Sequence, residues 1–396
     1  MKILHIVPSY LPAYRYGGPI RSVHELNKGL VGLGIDVTVY TTNIDISGGL
    51  NVPLNREVDV DGVKVFYFPI TFRPWQYSRV LHRALAKNAK NFDLIHITSV
   101  FLSASTLGAY YAKKFNKPYI ISPRGNFMQE PLKKDFLKRL KKRIYINLIE
   151  KRNLSGAAAI HFTVEKEKED YLKTGLLLRK AIVIPNGIDV TKSEKRKTQR
   201  DEDFIKKFKI PKRKKIILFL GRLNWIKGLD TLIPAFSEVI KKEPNAVLVL
   251  AGPDENNYRK EIELKIENCK LKIGKDVIFT DMLLGDDKIA AYGESDVFVL
   301  SSYSENFGMA VAEAMVAGLP VVISKGVGIS NEVEKAGAGL VIEKEINQVG
   351  EAILKILNNP DLAKKMGEAG RALVEQEFSS EKVAEKWLGE YNKLLK

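Results

Sequence analysis

The amino-acid sequence predicts an α/β protein with two doubly wound, Rossmann-like domains that face each other across a cleft. Three observations support this prediction. The chain has 396 residues, which is more than one hydrophobic core usually supports. Short β-branched runs alternate with amphipathic stretches, as in parallel βαβ units. The alternation is interrupted once, by a highly charged stretch at Asp189–Lys214, and then begins again.

In the first half, seven short apolar runs have the length and composition of buried strands. They are Ile3–Val7, Val37–Thr41, Val63–Phe68, Leu94–Ile97, Tyr119–Ser122, Ala159–Phe162 and Ile182–Ile184. The helical patterns between them include Ile20–Leu33, Leu102–Lys114 and Pro131–Arg152. We predict a first domain over residues 1–190.

Six further strands follow the charged stretch. They are Ile216–Leu220, Ala246–Ala251, Val277–Thr280, Val297–Leu300, Val321–Ser324 and Leu340–Ile342. After them only helical patterns remain, at Gln348–Leu357, Asp361–Glu375 and Ser380–Leu395. We predict a linker with a short helix over 191–214 and a second domain over 215–379.

Composition narrows the class of protein. Apolar residues make up 45% of the chain and charged residues 28%, which is ordinary for a globular protein. Cys269 is the sole cysteine, so no intrachain disulfide forms and a reducing, cytoplasmic setting fits. No run approaches the ~18 apolar residues of a membrane span, and the N-terminal run is predicted to be a strand rather than a signal peptide.

The net charge of +16 is unevenly distributed. Residues 1–185 contain 29 Lys and Arg against 14 Asp and Glu, which gives +15. Residues 186–396 contain 34 against 33, which gives +1. The first domain is therefore expected to meet an anionic partner, and nucleic acid, phospholipid and phosphorylated small molecules all fit the charge alone.

The most specific motif is the segment Ser304–Met315, which follows the predicted strand Val297–Leu300. Its second part is small and apolar, so we predict a buried helix in which Glu313 is the one charged residue. A buried carboxylate needs a partner, either a basic side chain or a ligand hydroxyl. Glu305 lies at the carboxyl end of the strand, where sites form. The amides of Phe307–Ala310 at the helix start favour an anion.

Two glycine-containing loops also follow strands. In Gly221–Gly228, the cations Arg222 and Lys227 suit a diphosphate, although two solvated cations are the plain alternative. After the first strand, Gly17 and Gly18 permit close backbone approach to a ligand, or simply a tight turn.

Together these segments resemble the retaining GT-B glycosyltransferases of family 4, the glycosyl transferases group 1, over nearly the whole chain. Four motifs match in the family's order. They are the E-x7-E pair at Glu305 and Glu313, the G-R-x4-K-G loop at Arg222 and Lys227, the glycine loop at Gly17 and Gly18, and the P-N-G-(I/V)-D signature at Pro185–Asp189.

The resemblance implies a role for each motif. Arg222 and Lys227 neutralise the diphosphate of a nucleotide-sugar donor, Glu305 contacts the sugar hydroxyls, and Glu313 binds the ribose. The further donor-binding positions are Gly17, Gly18, Asn306, Phe307, Gly308, Met309 and Ala310, with Met282 and Leu283 in the base-lining loop Asp281–Leu284. The resemblance also implies that the reaction retains anomeric configuration through same-face attack, with the departing phosphate as base, and that it uses no cofactor.

One position departs from the family. Many members have a histidine after the strand that ends here at Ser122, and this chain has Pro123-Arg124-Gly125-Asn126 instead. Arg124 is predicted to hold the sugar or an anionic acceptor. His96, at the end of the neighbouring strand, is the other candidate, and a purely structural histidine is its alternative.

Three patterns that look functional are given a structural interpretation. Asp59-Val60-Asp61 resembles a metal-binding D-x-D motif, but it precedes Gly62 and a strand, so we predict a hairpin turn. The glycines of Gly29–Gly34 end a helix. The five histidines lack metal-ligand spacing, and we predict no metal requirement.

The segment Pro131–Arg152 contains nine Lys and Arg against two acids. Its apolar residues recur at helical spacing, at Phe136, Leu137, Leu140, Ile144 and Leu148. This basic amphipathic helix either packs on the sheet with a solvated face or binds anionic lipid headgroups. We favour attachment to the inner face of a membrane and a lipid-linked or cell-envelope glycan as acceptor, without a nucleic-acid partner.

Three alternatives stay open. The same enzyme class could act on a small soluble sugar phosphate. An epimerase on the same fold would need no acceptor, and the E-x7-E context argues against it. A non-catalytic nucleotide-sugar-binding subunit is the third. The family resemblance also implies that the last helix, within residues 380–396, crosses back onto the first, acceptor-side domain.

Overall fold

The structure, a computed structural model of the chain, describes all residues except 47, 129–135, 192–201 and 212–213, and the side chains of 136–139, 141 and 202 are also left out. The described chain divides into two compact units. Unit 1 contains Met1–Gly187 and Ser380–Lys396, and unit 2 contains Ile188–Ser379.

Unit 1 is built on an eight-stranded sheet. In chain order its strands are Lys2–Ile6 (β1), Asp36–Thr42 (β2), Glu57–Val60 (β5), Val63–Phe68 (β6), Leu94–Thr98 (β7), Tyr119–Ser122 (β8), Ala159–Phe162 (β9) and Ala181–Val183 (β10), and a separate two-stranded ribbon joins Ile44–Asp45 (β3) to Gly48–Gly49 (β4). The sheet order is β10-β9-β8-β7-β1-β2-β6-β5, and only the edge pair β5 and β6 is antiparallel.

Helices cover both faces of this sheet in the usual βαβ manner. They are Gly18–Gly32 (α1), Arg79–Asn88 (α2), Ser103–Lys114 (α3), Phe136–Tyr145 (α4), Lys151–Gly156 (α5), Glu165–Leu172 (α6) and, from the end of the chain, Ser380–Leu395 (α15). A π-helical turn, Ile146–Glu150, separates α4 from α5, so the predicted continuous helix Pro131–Arg152 is interrupted. Its first residues, 131–135, lie outside the described part of the chain.

Unit 2 is built on a six-stranded, entirely parallel sheet. Its strands are Lys215–Leu220 (β11), Ala246–Ala251 (β12), Val277–Asp281 (β13), Val297–Leu300 (β14), Val321–Ser324 (β15) and Gly339–Ile342 (β16), in the order β13-β12-β11-β14-β15-β16. Every residue of β12 is apolar and buried. Such continuous apolar runs are required where helices cover both faces of a parallel sheet.

The helices of unit 2 follow its strands. They are Glu202–Lys207 (α7), Leu229–Lys242 (α8), Tyr258–Asn268 (α9), Gly285–Glu294 (α10), Met309–Val316 (α11), Ser330–Ala336 (α12), Ile346–Leu357 (α13) and Pro360–Leu373 (α14), with a π-helical turn at Val374–Phe378. On α13 the residues Val349, Ala352, Ile353 and Ile356 form the buried stripe, at the spacing that one helix face provides.

Each sheet has one point where the strand order reverses. In unit 1 it lies between β1 and β7, and in unit 2 between β11 and β14. At such a point the loops at the carboxyl ends of the two strands leave toward opposite faces, which opens a crevice for a ligand. A ligand site in unit 2 is therefore expected among the residues that follow β11 and β14.

The α/β class with two parallel-sheet domains is confirmed. Each predicted strand is present, with ends that differ by no more than one residue. The sequence analysis missed β5 and the ribbon of β3 and β4. The hairpin interpretation of Asp59–Asp61 is confirmed, because Asp61 and Gly62 have φ of 52° and 84° and the Gly62 amide donates to Asp59 Oδ1 at 3.1 Å.

Helix α15 belongs to the core of unit 1. Its residues Val383, Trp387 and Tyr391 are buried together with Leu26 and Leu30 of α1. The helices approach closely where α1 has a glycine, since a Cβ atom added at Gly29 would lie 2.8 Å from the Cβ of Ala384.

Candidate active site

The loop that follows β11, Gly221–Gly228, lies directly against the chain that follows β14. The Tyr303 amide donates to the Ile226 carbonyl at 2.8 Å, and the Ser301 hydroxyl donates to the Gly228 carbonyl at 2.8 Å. Gly228 has φ of 72°, and a Cβ atom there would lie 1.9 Å from the Ser301 carbonyl oxygen. The glycine is therefore required both by its backbone conformation and by the close approach.

This contact brings together two residues that are 78 positions apart in the chain. The Lys227 ammonium forms an ion pair with the Glu305 carboxylate. The side chains of Lys227 and Glu305 keep 14% and 22% of their exposure, so the pair lines a partly open crevice. Its place at the carboxyl ends of β11 and β14 is the switch point of the sheet.

Arg222, on the same loop, pairs with Glu255. Its Nη1 lies 2.7 Å from Glu255 Oε1, and Asn224 Nδ2 donates to the other carboxylate oxygen at 2.6 Å. One carboxylate thus orients two side chains of the loop. The sequence analysis did not consider Glu255, although its position shortly after the buried strand β12 is the kind of signal that identifies site residues.

The segment Ser304–Gly308 packs closely on a second glycine-containing loop. The Glu305 amide donates to the Gly326 carbonyl at 3.0 Å, and a Cβ atom at Gly328 would lie 1.9 Å from the Asn306 carbonyl oxygen. Gly308, with φ of 104°, is the N-cap of α11. The first-turn residues Met309 and Ala310 are partly exposed, so their amides lie at an accessible helix N-terminus, where an anion is favoured.

Phe307 contributes to this segment as a core residue. Its side chain is buried and contacts the Phe378 ring edge to face, with ring centroids 5.4 Å apart. The ring therefore anchors the loop, while its backbone stays at the helix start.

Glu313 is paired with a basic side chain, which is one of the two partners that the sequence left open. Lys288 Nζ lies 2.6 Å from its Oε1, and the Tyr292 hydroxyl donates to Oε2 at 2.8 Å. The expectation of a helix buried on all sides is also wrong at this residue, because the Glu313 side chain keeps 18% of its exposure. A ligand hydroxyl is not needed to explain the carboxylate.

The predicted base-lining loop follows β13. Asp281 has φ of 56° and pairs with Arg259 at 3.1 Å, and the Arg259 guanidinium lies over the Phe279 ring. Met282 is partly exposed, whereas Leu283 is buried and faces the interior of unit 2. Of the two side chains, only that of Met282 is substantially accessible to a ligand.

In unit 1, Gly17 and Gly18 lie after β1, at the switch point of that sheet. Gly17 has φ of 84° and is the N-cap of α1, which begins at Gly18. No atom lies within 4 Å of a Cβ atom built at Gly17, so the need for glycine here is conformational rather than steric.

Arg124 lies after β8, in the same unit, in the left-handed conformation with φ of 57°. Its Nη1 donates to the side-chain oxygen of Asn186, in the predicted P-N-G-(I/V)-D signature. Its Nε is buried without a hydrogen-bond partner. Burial lowers the pKa of Arg124 to about 10, against the opposing effect of the nearby Glu167 carboxylate. The guanidinium thus has unused hydrogen-bonding capacity at the carboxyl edge of the sheet.

The prediction that His96 could contact substrate is wrong. Its side chain is fully buried, Nε2 is 2.8 Å from the Ser122 hydroxyl, and Nδ1 is 2.7 Å from the Tyr391 hydroxyl. The ring stacks on His5 with centroids 4.4 Å apart. Burial lowers the pKa of His96 well below its usual value. Both nitrogens are engaged within the core, so the structural alternative holds and His96 is not a candidate to contact substrate.

Comparisons with known proteins agree with this arrangement. A family model described as glycosyl transferases group 1 matches residues 200–373, and one described as a glycosyl transferase 4-like domain matches residues 17–187. The chain is a GT-B glycosyltransferase of family 4. The two matches cover most of both units, and the first includes all the loops described above in unit 2.

Several relatives and solved structures are similar to this glycosyltransferase. Mannosylfructose-phosphate synthase of Agrobacterium fabrum is 29% identical over 78% of this chain and 71% of its own length. Alpha-monoglucosyldiacylglycerol synthase of Streptococcus pneumoniae is 24% identical over 91% and 80%. Sucrose-phosphate synthase from Thermosynechococcus elongatus has a TM-score of 0.77 at 23% identity, covering 99% of this chain and 98% of its own. Anabaena HepE in complex with UDP and glucose has a TM-score of 0.78 at 18% identity, covering 99% and 100%.

The basic segment of the glycosyltransferase exposes its apolar stripe. Leu140, Ile144 and Leu148 keep 45%, 52% and 68% of their exposure, although they recur at helical spacing. The first two apolar positions, Phe136 and Leu137, have side chains outside the described part. A helix that packed its apolar stripe on the sheet would bury these three side chains, so the structure disfavours that alternative for the described positions.

No described helix of the glycosyltransferase is long and apolar enough to cross a membrane. No group of three or more His, Cys, Asp or Glu in the described part lies together as a metal site would.

Proposed function

We propose that this glycosyltransferase moves a hexose-type sugar from a nucleoside-diphosphate sugar to an acceptor, with retention of anomeric configuration and without a metal ion. The observation that supports this most directly is the meeting of Lys227 and Glu305 at the switch point of unit 2. Arg222 lies on the same loop as Lys227. Two cations and a carboxylate at one crevice match what a diphosphate and a sugar require.

The leaving group sets the main chemical demand. When the bond between sugar and phosphate breaks, negative charge builds up on the diphosphate, and fixed cations stabilise it best. Lys227 and Arg222 supply that charge, and the amides of Met309 and Ala310 add hydrogen-bond donors at the start of α11. Glu305 accepts hydrogen bonds from sugar hydroxyls. Its pairing with Lys227 holds both side chains in place before the donor binds.

Glu313 is proposed to bind the ribose hydroxyls. Lys288 and Tyr292 each occupy one of its oxygens. A carboxylate has about four acceptor sites, so two remain for a ribose diol. Lys288 and Tyr292 then act as positioning residues that keep the carboxylate oriented.

Retention is proposed from the charges at the site. The carboxylates of Glu305 and Glu255 are both held in ion pairs, with Lys227 and Arg222, and each is therefore a poor nucleophile. Same-face attack by the acceptor, with the departing phosphate oxygen taking its proton, needs only charge stabilisation from the protein. The product keeps the α-configuration of an α-linked donor.

The acceptor is proposed to be a lipid-linked or cell-envelope glycan at the inner face of a membrane. Two relatives differ on this point, since one is named as the synthase of a phosphorylated sugar and the other as the synthase of a glycolipid. The exposed stripe of Leu140, Ile144 and Leu148 favours the lipid side. A soluble sugar phosphate held by Arg124 is the second candidate, and a non-catalytic donor-binding subunit is the third.

The donor test uses a panel of UDP-, GDP-, ADP- and dTDP-sugars with a chelator present, and measures release of nucleoside diphosphate. We expect slow release from one donor, reduced about 100-fold or more in Lys227→Ala and Glu305→Ala, the usual cost of removing one group that stabilises developing charge. Lys241→Ala and Glu238→Ala are matched controls, because they break an exposed ion pair in the same unit.

Each other result has a definite meaning. Unchanged release of nucleoside diphosphate by Lys227→Ala would show that Lys227 does not stabilise the leaving group. Release that requires added Mg²⁺ or Mn²⁺ contradicts metal independence. Binding of one donor without release, even with acceptor extracts, favours the non-catalytic subunit. An inverted anomeric signal in the NMR spectrum of the product overturns retention.

A further inference from the structure

Unit 1 contains a cavity of about 520 Å³ between the basic helix and the turn after α6. One wall is formed by the end of α4, the π-helical turn and the start of α5, and the other by residues 173–176. Four cations line it, namely Lys142, Arg143, Lys151 and Lys173. Phe127, Ile146 and Leu176 add apolar surface, and Asn147 and Thr174 add neutral polar groups.

Among the residues that the structure describes, few carboxylates compensate the charge of this cavity. Lys173 pairs with Asp170 at 2.9 Å. In the described part of the chain, no carboxylate pairs with Lys142, Arg143 or Lys151. Glu150 lies close in sequence, but it is buried and accepts from the Phe101 amide at 2.7 Å and from Asn153. A cavity with clustered cations and few acids attracts an anion.

Lys142 is the most enclosed of the four cations. Its ammonium lies 5.1 and 5.6 Å from the ring centroids of Phe101 and Phe127, and it donates to the Asn126 carbonyl. Burial lowers the pKa of Lys142 to about 8. Its neighbours are a carbonyl and two rings, so an anion in the cavity would stabilise the charged form.

Exposed apolar side chains are the sequence neighbours of lining residues on both walls, and we call these four side chains the apolar border. On the helix side, Ile144 and Leu148 flank the lining residues Ile146 and Asn147 in sequence and are more than half exposed. On the other side, Leu172 and Leu177 flank residues 173–176 and keep 50% and 55% of their exposure. Cations that line a cavity, together with exposed apolar side chains on the same segments, match the two layers of a membrane surface, headgroup and acyl chain.

We propose that this cavity binds the phosphate headgroup of an anionic membrane phospholipid while the side chains of the apolar border enter the acyl layer. The volume lies within the range of small-ligand sites and fits one headgroup. The charge of the cavity complements a phosphodiester, and the apolar border distinguishes a lipid from a free phosphate. The proposal rests on the proposed function in one respect, since a lipid-linked acceptor would explain why the enzyme contacts a membrane.

The cavity also adjoins the loop that carries Arg124. Lys142 donates to the carbonyl of Asn126, two residues further along the chain than Arg124. A headgroup held by Lys142 therefore contacts the same short segment that presents the partly unsatisfied guanidinium. This would place the acceptor-side loop at the membrane surface, where a lipid-linked acceptor lies.

Vesicle flotation of the full chain tests the proposal without any sugar donor. The probes are vesicles of phosphatidylglycerol with phosphatidylcholine, and vesicles of phosphatidylcholine alone. We expect binding to the anionic vesicles only. Arg143→Gln/Lys151→Gln should lower the partition coefficient about 25-fold, because each cation at an anionic surface contributes about a factor of five. Lys87→Gln/Lys90→Gln removes the same charge from an exposed helix end of unit 1 and should lower it less than threefold.

A second pair of variants tests the apolar border. Ile144→Gln/Leu148→Gln should weaken vesicle binding at least tenfold, whereas Leu264→Gln/Ile273→Gln, equally exposed apolar residues of unit 2, should leave it unchanged. Near-ultraviolet circular dichroism checks that each variant is folded.

Three outcomes would overturn the proposal. Equal losses in the cavity pair and its charge-matched control would mean that only net charge matters. Binding to vesicles of phosphatidylcholine alone would show that no anionic headgroup is required. Calorimetric binding of glycerol 1-phosphate that depends on Arg143 and Lys151, without vesicle binding, would assign the cavity to a soluble phosphate. None of these results bears on donor release, so the transferase proposal would stand or fall separately.

Discussion

At the scale of single residues, the candidate site depends on side chains held by carboxylates and on glycines that let loops approach. Glu255 orients Arg222, and Glu305 contacts Lys227. Gly228 allows the second contact, since it lies against the Ser301 carbonyl. The positions of these two cations therefore depend on an uncharged glycine as well as on the carboxylates that pair with them.

Gly228→Ala should damage both folding and function. The new methyl would lie 1.9 Å from the Ser301 oxygen, and the left-handed backbone alone costs about 1–2 kcal/mol for a non-glycine residue. We expect the free energy of unfolding to fall by about 2 kcal/mol or more, measured by urea denaturation, and donor turnover to fall because Lys227 is displaced.

Gly293→Ala is the control for this change. Gly293 lies in α10 with no atom within 4 Å of an added Cβ atom. Alanine in a helix should raise stability by about 0.5–1 kcal/mol. If Gly228→Ala behaved like Gly293→Ala, the close approach of the two loops would be refuted.

At the scale of elements, a chain of hydrogen bonds joins α15 to three strands of unit 1. His161 Nε2 lies 2.8 Å from the Ile184 carbonyl, which only accepts, so this nitrogen donates. Ser122 then donates to His161 Nδ1 at 2.7 Å, and His96 Nε2 donates to Ser122. Tyr391 completes the chain by donating to His96 Nδ1 at 2.7 Å. One carbonyl thus determines the tautomers of two histidines.

Tyr391→Phe should destabilise unit 1 through the acceptor that it leaves unpaired. His96 Nδ1 is fully buried, and an unsatisfied buried polar atom costs about 1–3 kcal/mol. We expect a loss of that size in the free energy of unfolding. Tyr110→Phe, which removes a hydroxyl from a side chain that is 52% exposed, should change it by less than about 0.5 kcal/mol. Equal effects of the two changes would show that the hydrogen-bond chain contributes nothing.

At the scale of the whole molecule, the buried imidazoles make stability depend on pH. Burial, with a smaller contribution from nearby Arg124, lowers the pKa of His5 to about 4 and that of His161 to about 3. In the unfolded chain the same groups titrate near 6.5. Between these values the unfolded state binds more protons, so the folded state loses stability as pH falls below about 6.5 and keeps it fully above that value.

The expected slope is about 1.4 kcal/mol per pH unit for each such histidine. Buried Glu167, whose pKa is raised by burial, offsets part of the loss at the acid end of the range. Urea midpoints measured at several pH values from neutral to about pH 5 check the prediction. A midpoint that stays constant through this range would contradict it, and His161→Asn should reduce the slope.

Much of the fold could be predicted from the sequence, because it depends on local patterns. Apolar runs bounded by turns placed each strand of the two parallel sheets within one residue. The missed strand β5, Glu57–Val60, is short, charged and at an edge, so its sequence lacks the pattern of a buried strand. The π-helical turn at Ile146–Glu150 was missed because apolar spacing of four residues fits an uninterrupted helix equally well.

By itself the sequence determined the fold class, the family and the loops that carry Arg222, Lys227 and Glu305, since each follows from residues that are close in the chain. Only the tertiary structure decided which groups meet. It paired Lys227 with Glu305, Glu313 with Lys288, and Arg222 with Glu255, across 25 to 78 positions. It also buried His96 and exposed Leu148. These outcomes depend on strand order and on packing between segments that are distant in the chain. Local sequence patterns do not determine which of those segments meet.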